Sequence, residues 1–164
     1  MANAALQNGL ATLDFSRNIL LGLVEEIDDD KMCHQPVAGG NHTAWVLGHI
    51  AYADDLFAVE VGGRKSILSD WKAKHGMGST PTSDRADYPS KAEFLDKLAT
   101  CRESLLTWFN SLDESELETP MPEGWTDFAP NRAAFASWIA WHEALHSGQL
   151  TMIRKSLGLA PKKG

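Results

Sequence analysis

The stretch from about Asn41 to Val61 constrains the fold more than any other. Trp45, Val46, Leu47, Ile50, Tyr52, Leu56, Phe57 and Val59 make it apolar nearly all round. A helix with no polar face is buried on every side, so other elements must surround it. Asn41 or Thr43 is placed to cap it, and Gly62-Gly63 to end it.

Three further stretches supply those surroundings. From about Asn3 to Ile27, Leu6, Leu10, Leu13, Leu20, Val24 and Ile27 recur at three- and four-residue steps broken by Arg17, and Asp28-Asp29-Asp30 comes next. Gly22 counts mildly against that helix. Ser90 with Glu93 forms a capping box that opens a third helix with the stripe Phe94, Leu95, Leu98, Leu105, Phe109 and Leu112. Asn131 caps the last helix, which reaches Leu157 and stops at Gly158. Between the second and third helices lies a long connection with a short helix expected over Ser66 to His75. Between the third and fourth lies a proline-rich loop with one turn at Glu114 to Leu117. Four long helical patterns and no convincing alternating run predict an all-α four-helix bundle, one domain over residues 1–164.

Composition matters mainly for what it excludes. The net charge is −7 and no run of Lys or Arg exceeds two residues, as in Lys162-Lys163. Nucleic-acid affinity comes mostly from neutralising phosphates, so no nucleic-acid partner is expected. No apolar run approaches the ~18 residues of a membrane span, and Met1-Ala2-Asn3-Ala4 lacks a basic signal region, so a cytoplasmic location is expected. Cys33 and Cys101 are read as inert, one in a loop and one in the core.

The last helix carries His142-Glu143-Ala144-Leu145-His146. Two histidines four apart share one helix face, about 6 Å apart along the axis, close enough to grip one cation. They fall on the stripe of Phe135, Trp138, Gln149 and Ile153. Inward imidazoles need partners, either a shared metal or core hydroxyls and carbonyls. The pattern also matches H-E-x-x-H zinc peptidases, but their third ligand comes from downstream. None of the 18 residues after His146 is Asp, Glu or His. The third ligand must lie upstream, and His49 alone among the other histidines sits mid-helix on a buried pattern, beside Gly48. His34 and His42 sit in or next to a loop, and His75 beside Gly76.

Trp45-Val46-Leu47-Gly48-His49-Ile50, paired with His142-Glu143-Ala144-Leu145-His146-Ser147-Gly148-Gln149, resembles the DinB/YfiT-like superfamily. The resemblance implies an up-down-down-up bundle, often a homodimer, holding a divalent metal through His49, His142 and His146 in an open site. Its characterised members include bacillithiol-dependent S-transferases, a mycothiol-dependent maleylpyruvate isomerase and proteins described as metal-dependent hydrolases.

The histidine pattern and the resemblance together lead to the expectation of a metal-dependent enzyme on a small-molecule substrate, most of all a thiol S-transferase. The metal would be zinc or nickel and the cosubstrate a low-molecular-weight thiol. A hydrolase, or a non-catalytic metal-binding, ligand-binding or stress-response protein, is the competing expectation. Glu143 is either a general base or a residue on the helix flank. Gln149 is a hydrogen-bonding neighbour of the ligands or a flank amide. Trp45, Tyr52, Trp138 and Trp141 are expected to wall a substrate pocket or to pack in the core, with Trp125 a candidate lid. Arg132 and Arg154 are expected at the solvated surface rather than, as the alternative, meeting an acidic substrate.

Overall fold

The computed structural model describes residues 3–162. Lys163, and Met1 and Ala2 of the expected signal-free start, lie outside them. Four long helices, α1 (Ala4–Val24), α2 (Thr43–Glu60), α4 (Lys91–Ser111) and α6 (Arg132–Ser156), are joined by segments holding two short ones, α3 (Lys72–His75) and α5 (Glu114–Leu117). No strand occurs among the described residues. Nor is any of their helices long and apolar enough to cross a membrane.

The helix termini obey local chemistry, with some departures from expectation. Asn131 caps α6 by accepting from the Ala134 amide. His42, not Asn41 or Thr43, caps α2: its Nδ1 accepts from the Trp45 amide, and its Nε2 lies 2.8 Å from the Thr82 carbonyl. Ser90 caps α4 through the Glu93 amide, but the reciprocal bond forms only at Asp113 and Glu116, which open α5 with a complete capping box. α1 ends at Val24 rather than Ile27. The acidic run Glu25 to Asp30 sits at the negative end of the helix dipole, where it disfavours another turn. Ile27 is nonetheless fully buried. The expected helix over Ser66 to His75 is a 3-10 turn at Ser69–Trp71 running into α3.

Side-chain contacts establish the topology. Gly9 of α1 meets Ala136 of α6, Arg17 meets Glu143, and Arg154 reaches the Leu23 carbonyl, so the first and last long helices run parallel. Asp54 meets Arg102 and Gly62 meets Trp108, so α2 and α4 are parallel too. Between the pairs, Trp45 faces His146 and Phe57 faces Phe135, which makes α2 antiparallel to α6. The order is up-down-down-up. Parallel neighbours need long crossovers, and the connection after α2 supplies one.

Two apolar clusters stack along the bundle, one around Leu20, Ile50, Phe94 and Leu150, the other around Leu13, Phe57, Leu105 and Phe135. Among the buried groups is a quartet of opposite charges, one from each long helix. Arg17 donates to Glu143 at 2.7 Å and to Asp54 at 2.9 Å, while Arg102 donates to Asp54 at 2.8 Å and also to Glu143. Arg17 and Arg102 further donate to the Leu98 and Leu13 carbonyls, so the guanidiniums are closely satisfied.

Arg154 corrects the expectation of a solvated surface cation. It is 2% exposed and donates to the Leu23 and Ala160 carbonyls and to Glu26. Its role is to close the bottom of the α1–α6 seam. Arg132 is half-buried. Cys101 lies in the core, where burial pushes its thiol up to about 12, and Cys33 is buried in a turn.

Candidate metal centre

His49 projects from the middle of α2, and His142 and His146 from adjacent turns of α6. One nitrogen from each lies within 4.8 Å of the other two. The Nε2 atoms of His49 and His142 are 3.2 Å apart. Bonds of ~2.0–2.1 Å at tetrahedral angles would separate two zinc-bound nitrogens by about 3.4 Å, so the spacing suits a shared cation.

Carbonyl oxygens fix which nitrogen faces the centre. His49 Nδ1 donates to the His75 carbonyl at 2.7 Å, and His146 Nδ1 donates to Gln149 Oε1 at 3.1 Å. Each Nδ1 therefore carries the proton, leaving an Nε2 lone pair to point inward, which is the tautomer that metal-ligating histidines need. Asn41 donates to the same Gln149 oxygen and holds it in place. The His75 carbonyl owes its position to Asp55. That buried carboxylate accepts from Ser66 and from the Ile67 and Leu68 amides, tying the start of the crossover to α2. α3 then lies so close to α2 that a Cβ on Gly48 would come within 2.1 Å of the His75 ring. Only glycine fits there.

Flat rings hold the imidazoles from the sides. Trp45 stacks on His49 at 4.6 Å, and Trp138 stacks on His142 at 5.3 Å. Beyond Trp138 the wall continues through Phe57, Trp125 and Phe128. Burial is the main cause that lowers all three histidines, taking His49 down to about 4 and His142 down to about 3. The site therefore offers neutral nitrogen donors at neutral pH.

That lowering makes a stability prediction for the metal-free chain. The folded pKa values lie below an unfolded value of about 6.5, so as pH falls below 6.5 the unfolded chain takes up protons that the folded chain refuses. Stability is then lost as pH falls toward 4. His75, also down to about 4, and His42, lowered by burial, act in the same direction. In the presence of a chelator, chemical denaturation is expected to show a loss of several kcal/mol between pH 7 and pH 5. A flat profile over that interval would contradict it.

The other expected site residues divide. Trp45, Trp138 and Gln149 touch the histidines. Tyr52 does not: it packs among the upper core residues, with its phenol pushed up by burial and by Asp55 and Glu60. Trp125 packs against Phe57, Phe128 and Phe135 as part of the wall. Trp141 is 57% exposed on the outside of α6. Glu143 requires a correction. It is 1% exposed and both its oxygens accept from the guanidiniums of Arg17 and Arg102. Bound by two cations and sealed from solvent, it is a structural anion rather than a general base. His42 and His75, expected in or beside loops, are both buried and positioned by backbone contacts.

Sequence reasoning missed the quartet partners Arg17, Asp54 and Arg102. The available signal was Arg17, which breaks the apolar stripe of the first long helix.

The comparisons with known proteins agree with this architecture. No curated protein matches the chain. Among solved structures, a crystal structure titled as a conserved protein of locus from Enterococcus faecalis superposes with a TM-score of 0.74, covering 96% of this chain and 99% of that one. At 18% identity, that likeness speaks for the fold alone. The sequence profile described as the DinB superfamily matches residues 12–150, a span that takes in His49, His142 and His146. By that match, over most of its length, the chain belongs to the DinB superfamily.

Proposed function

We propose that this protein is a divalent-metal-dependent enzyme that joins a low-molecular-weight thiol to a small electrophilic substrate. The observation that carries the reading is the convergence of His49, His142 and His146, with two inward lone pairs enforced by the His75 carbonyl and Gln149. Three neutral ligands leave a bound zinc or nickel ion its full charge, and no Asp, Glu or Cys joins the cluster among the described residues. Such an ion lowers the pKa of a thiol or water that reaches it, supplying a nucleophile near neutral pH.

The chain's own groups then have separable tasks. The His75 carbonyl and Gln149 hold the tautomers, while Trp45 and Trp138 keep the rings from turning. Trp138 and Phe128 present apolar surface beside His142, suited to the carbon skeleton of a small electrophile. Glu143 takes no proton in this scheme. With Asp54 it neutralises the two arginines behind the site.

The test is to incubate metal-loaded protein with bacillithiol, mycothiol or glutathione and a panel of electrophiles and esters. Conjugate formation that requires both metal and thiol supports the transferase reading. Ester cleavage without thiol would replace it with a hydrolase, and turnover of nothing would leave a metal-binding protein without catalysis.

A further inference from the structure

The contact between Asn41 and Gln149, at the edge of the metal centre, leaves two polar groups unused. Gln149 Oε1 accepts from His146 Nδ1 at 3.1 Å and from Asn41 Nδ2 at 3.2 Å. Two donors on that oxygen fix the orientation of the Gln149 amide, so its NH2 group faces away from His146. The reciprocal bond that would close an amide pair, from Gln149 Nε2 to Asn41 Oδ1, does not form, and neither atom bonds another described residue. Nor is either among the sealed side-chain atoms without a partner. Both residues are half-buried, so a free donor and a free acceptor stand open to solvent beside the histidines. Gln149 is separated from the inward nitrogen of His146 by only one imidazole ring and one hydrogen bond.

The stretches that supply the three histidines carry no free charge. From Met32 to Ala53 and from Ala133 to Ile153 the only Asp, Glu, Lys or Arg is Glu143, which Arg17 and Arg102 hold in the interior. A carboxylate or an ammonium group settling between these stretches would give up water and meet no opposite charge from them. A carboxylate would also set an acceptor against the acceptor Asn41 Oδ1. A neutral amide has both an N–H and a C=O, and so matches the one free acceptor and the free donor.

We infer that Asn41 and Gln149 read a secondary amide of the thiol cosubstrate, Gln149 Nε2 donating to its carbonyl and Asn41 Oδ1 accepting from its N–H. The inference rests on the thiol reading above and narrows it. The favoured cosubstrate carries an amide carbonyl two carbons from its sulfur, as any thiol does in which cysteine is joined to an amine through its carboxyl group. Gln149 then works at both ends of one side chain, its oxygen fixing the tautomer of His146 and its nitrogen holding the thiol. Polar groups paired in this way discriminate, because an analogue lacking the matching atom leaves them unpaired.

Four thiols test this: the N-methylamide, the methyl ester and the free acid of β-mercaptopropionic acid, with propanethiol as the reference. The ester differs from the amide only in an oxygen where the amide has its N–H. Binding is read on the nickel-loaded protein from the absorption of the nickel–thiolate bond, without turnover. The amide is expected to bind roughly 10-fold more tightly than the ester, and the ester more tightly than propanethiol. Asn41→Ala removes the acceptor while α2 keeps its His42 cap, and is expected to bring the amide down to the ester. Gln149→Glu keeps an oxygen for His146 Nδ1 but loses the donor, and is expected to abolish the advantage of the ester over propanethiol. Equal binding of amide and ester by the wild type, or an Asn41→Ala protein that still separates them, would overturn the inference and leave the thiol reading standing. Tighter binding of the acid than of the amide would overturn it as well. Binding of none of the four would overturn both.

Discussion

The His142→Ala protein is expected to be purified folded but without stoichiometric divalent metal, and His49→Ala likewise. Removing a hydrogen-bonding neighbour of a metal ligand typically costs ~10–100-fold in affinity, and removing one of three ligands costs more. Neither imidazole carries the fold. His142 is only half-buried, and the stacked indoles can close over the space it leaves. Metal content by atomic emission, read beside circular dichroism, separates the two effects. Stoichiometric metal in both folded variants would remove the three-histidine centre and the proposed chemistry with it.

Arg102→Ala is expected to act in the opposite way, lowering stability far more than metal affinity per folded molecule. The substitution leaves Asp54 and Glu143 facing a single guanidinium in a sealed interior. Breaking a buried ion pair from one side costs ~3–5 kcal/mol, because the surviving charge keeps its desolvation cost. For a chain of this size that lowers Tm by on the order of 10 °C. Arg102 itself is held charged: burial opposes it, but Asp54 and Glu143 raise its pKa above the ordinary value. A Tm within a degree or two of wild type would show that the quartet contributes little. Because the four charges cancel, replacing all of them with packed apolar residues would be far milder than removing one.

How much was legible in the sequence depends on the range of each interaction. The four helices and the Asn131 cap were readable because periodicity and capping are local. His49, His142 and His146 were readable as a set because two are a helical repeat and the third stands on a uniformly apolar helix. The cap of α2 was not readable, since His42 takes the place of an Asn or Thr only once the Thr82 carbonyl has fixed its ring. The His75 carbonyl escaped for a similar reason, since backbone groups carry no sequence signature and the Asp55 tether decides where the crossover lies. Glu143 was misjudged because its neighbours in sequence are ligands while its neighbours in space are arginines from α1 and α4. Arg17 read as an isolated break in an apolar stripe, and Asp54 and Arg102 carried no local signal of their own. Only together with Glu143 do their charges sum to zero.

The parallel pairing of the first and last helices also bears on how the chain reaches its native state. Bundles of sequential hairpins fold fast because their contacts are short in sequence. Here α1 finds its main partner more than a hundred residues away, and the imidazole cluster joins residues 93 positions apart. Closing such long loops precedes any stabilising contact. On a ribosome, α2 could already pair with α4, but α1 would emerge with its apolar face unmatched until the last helix was made, and the same helix brings His142 and His146, so metal capture is an event of the finished chain rather than a nucleus for it.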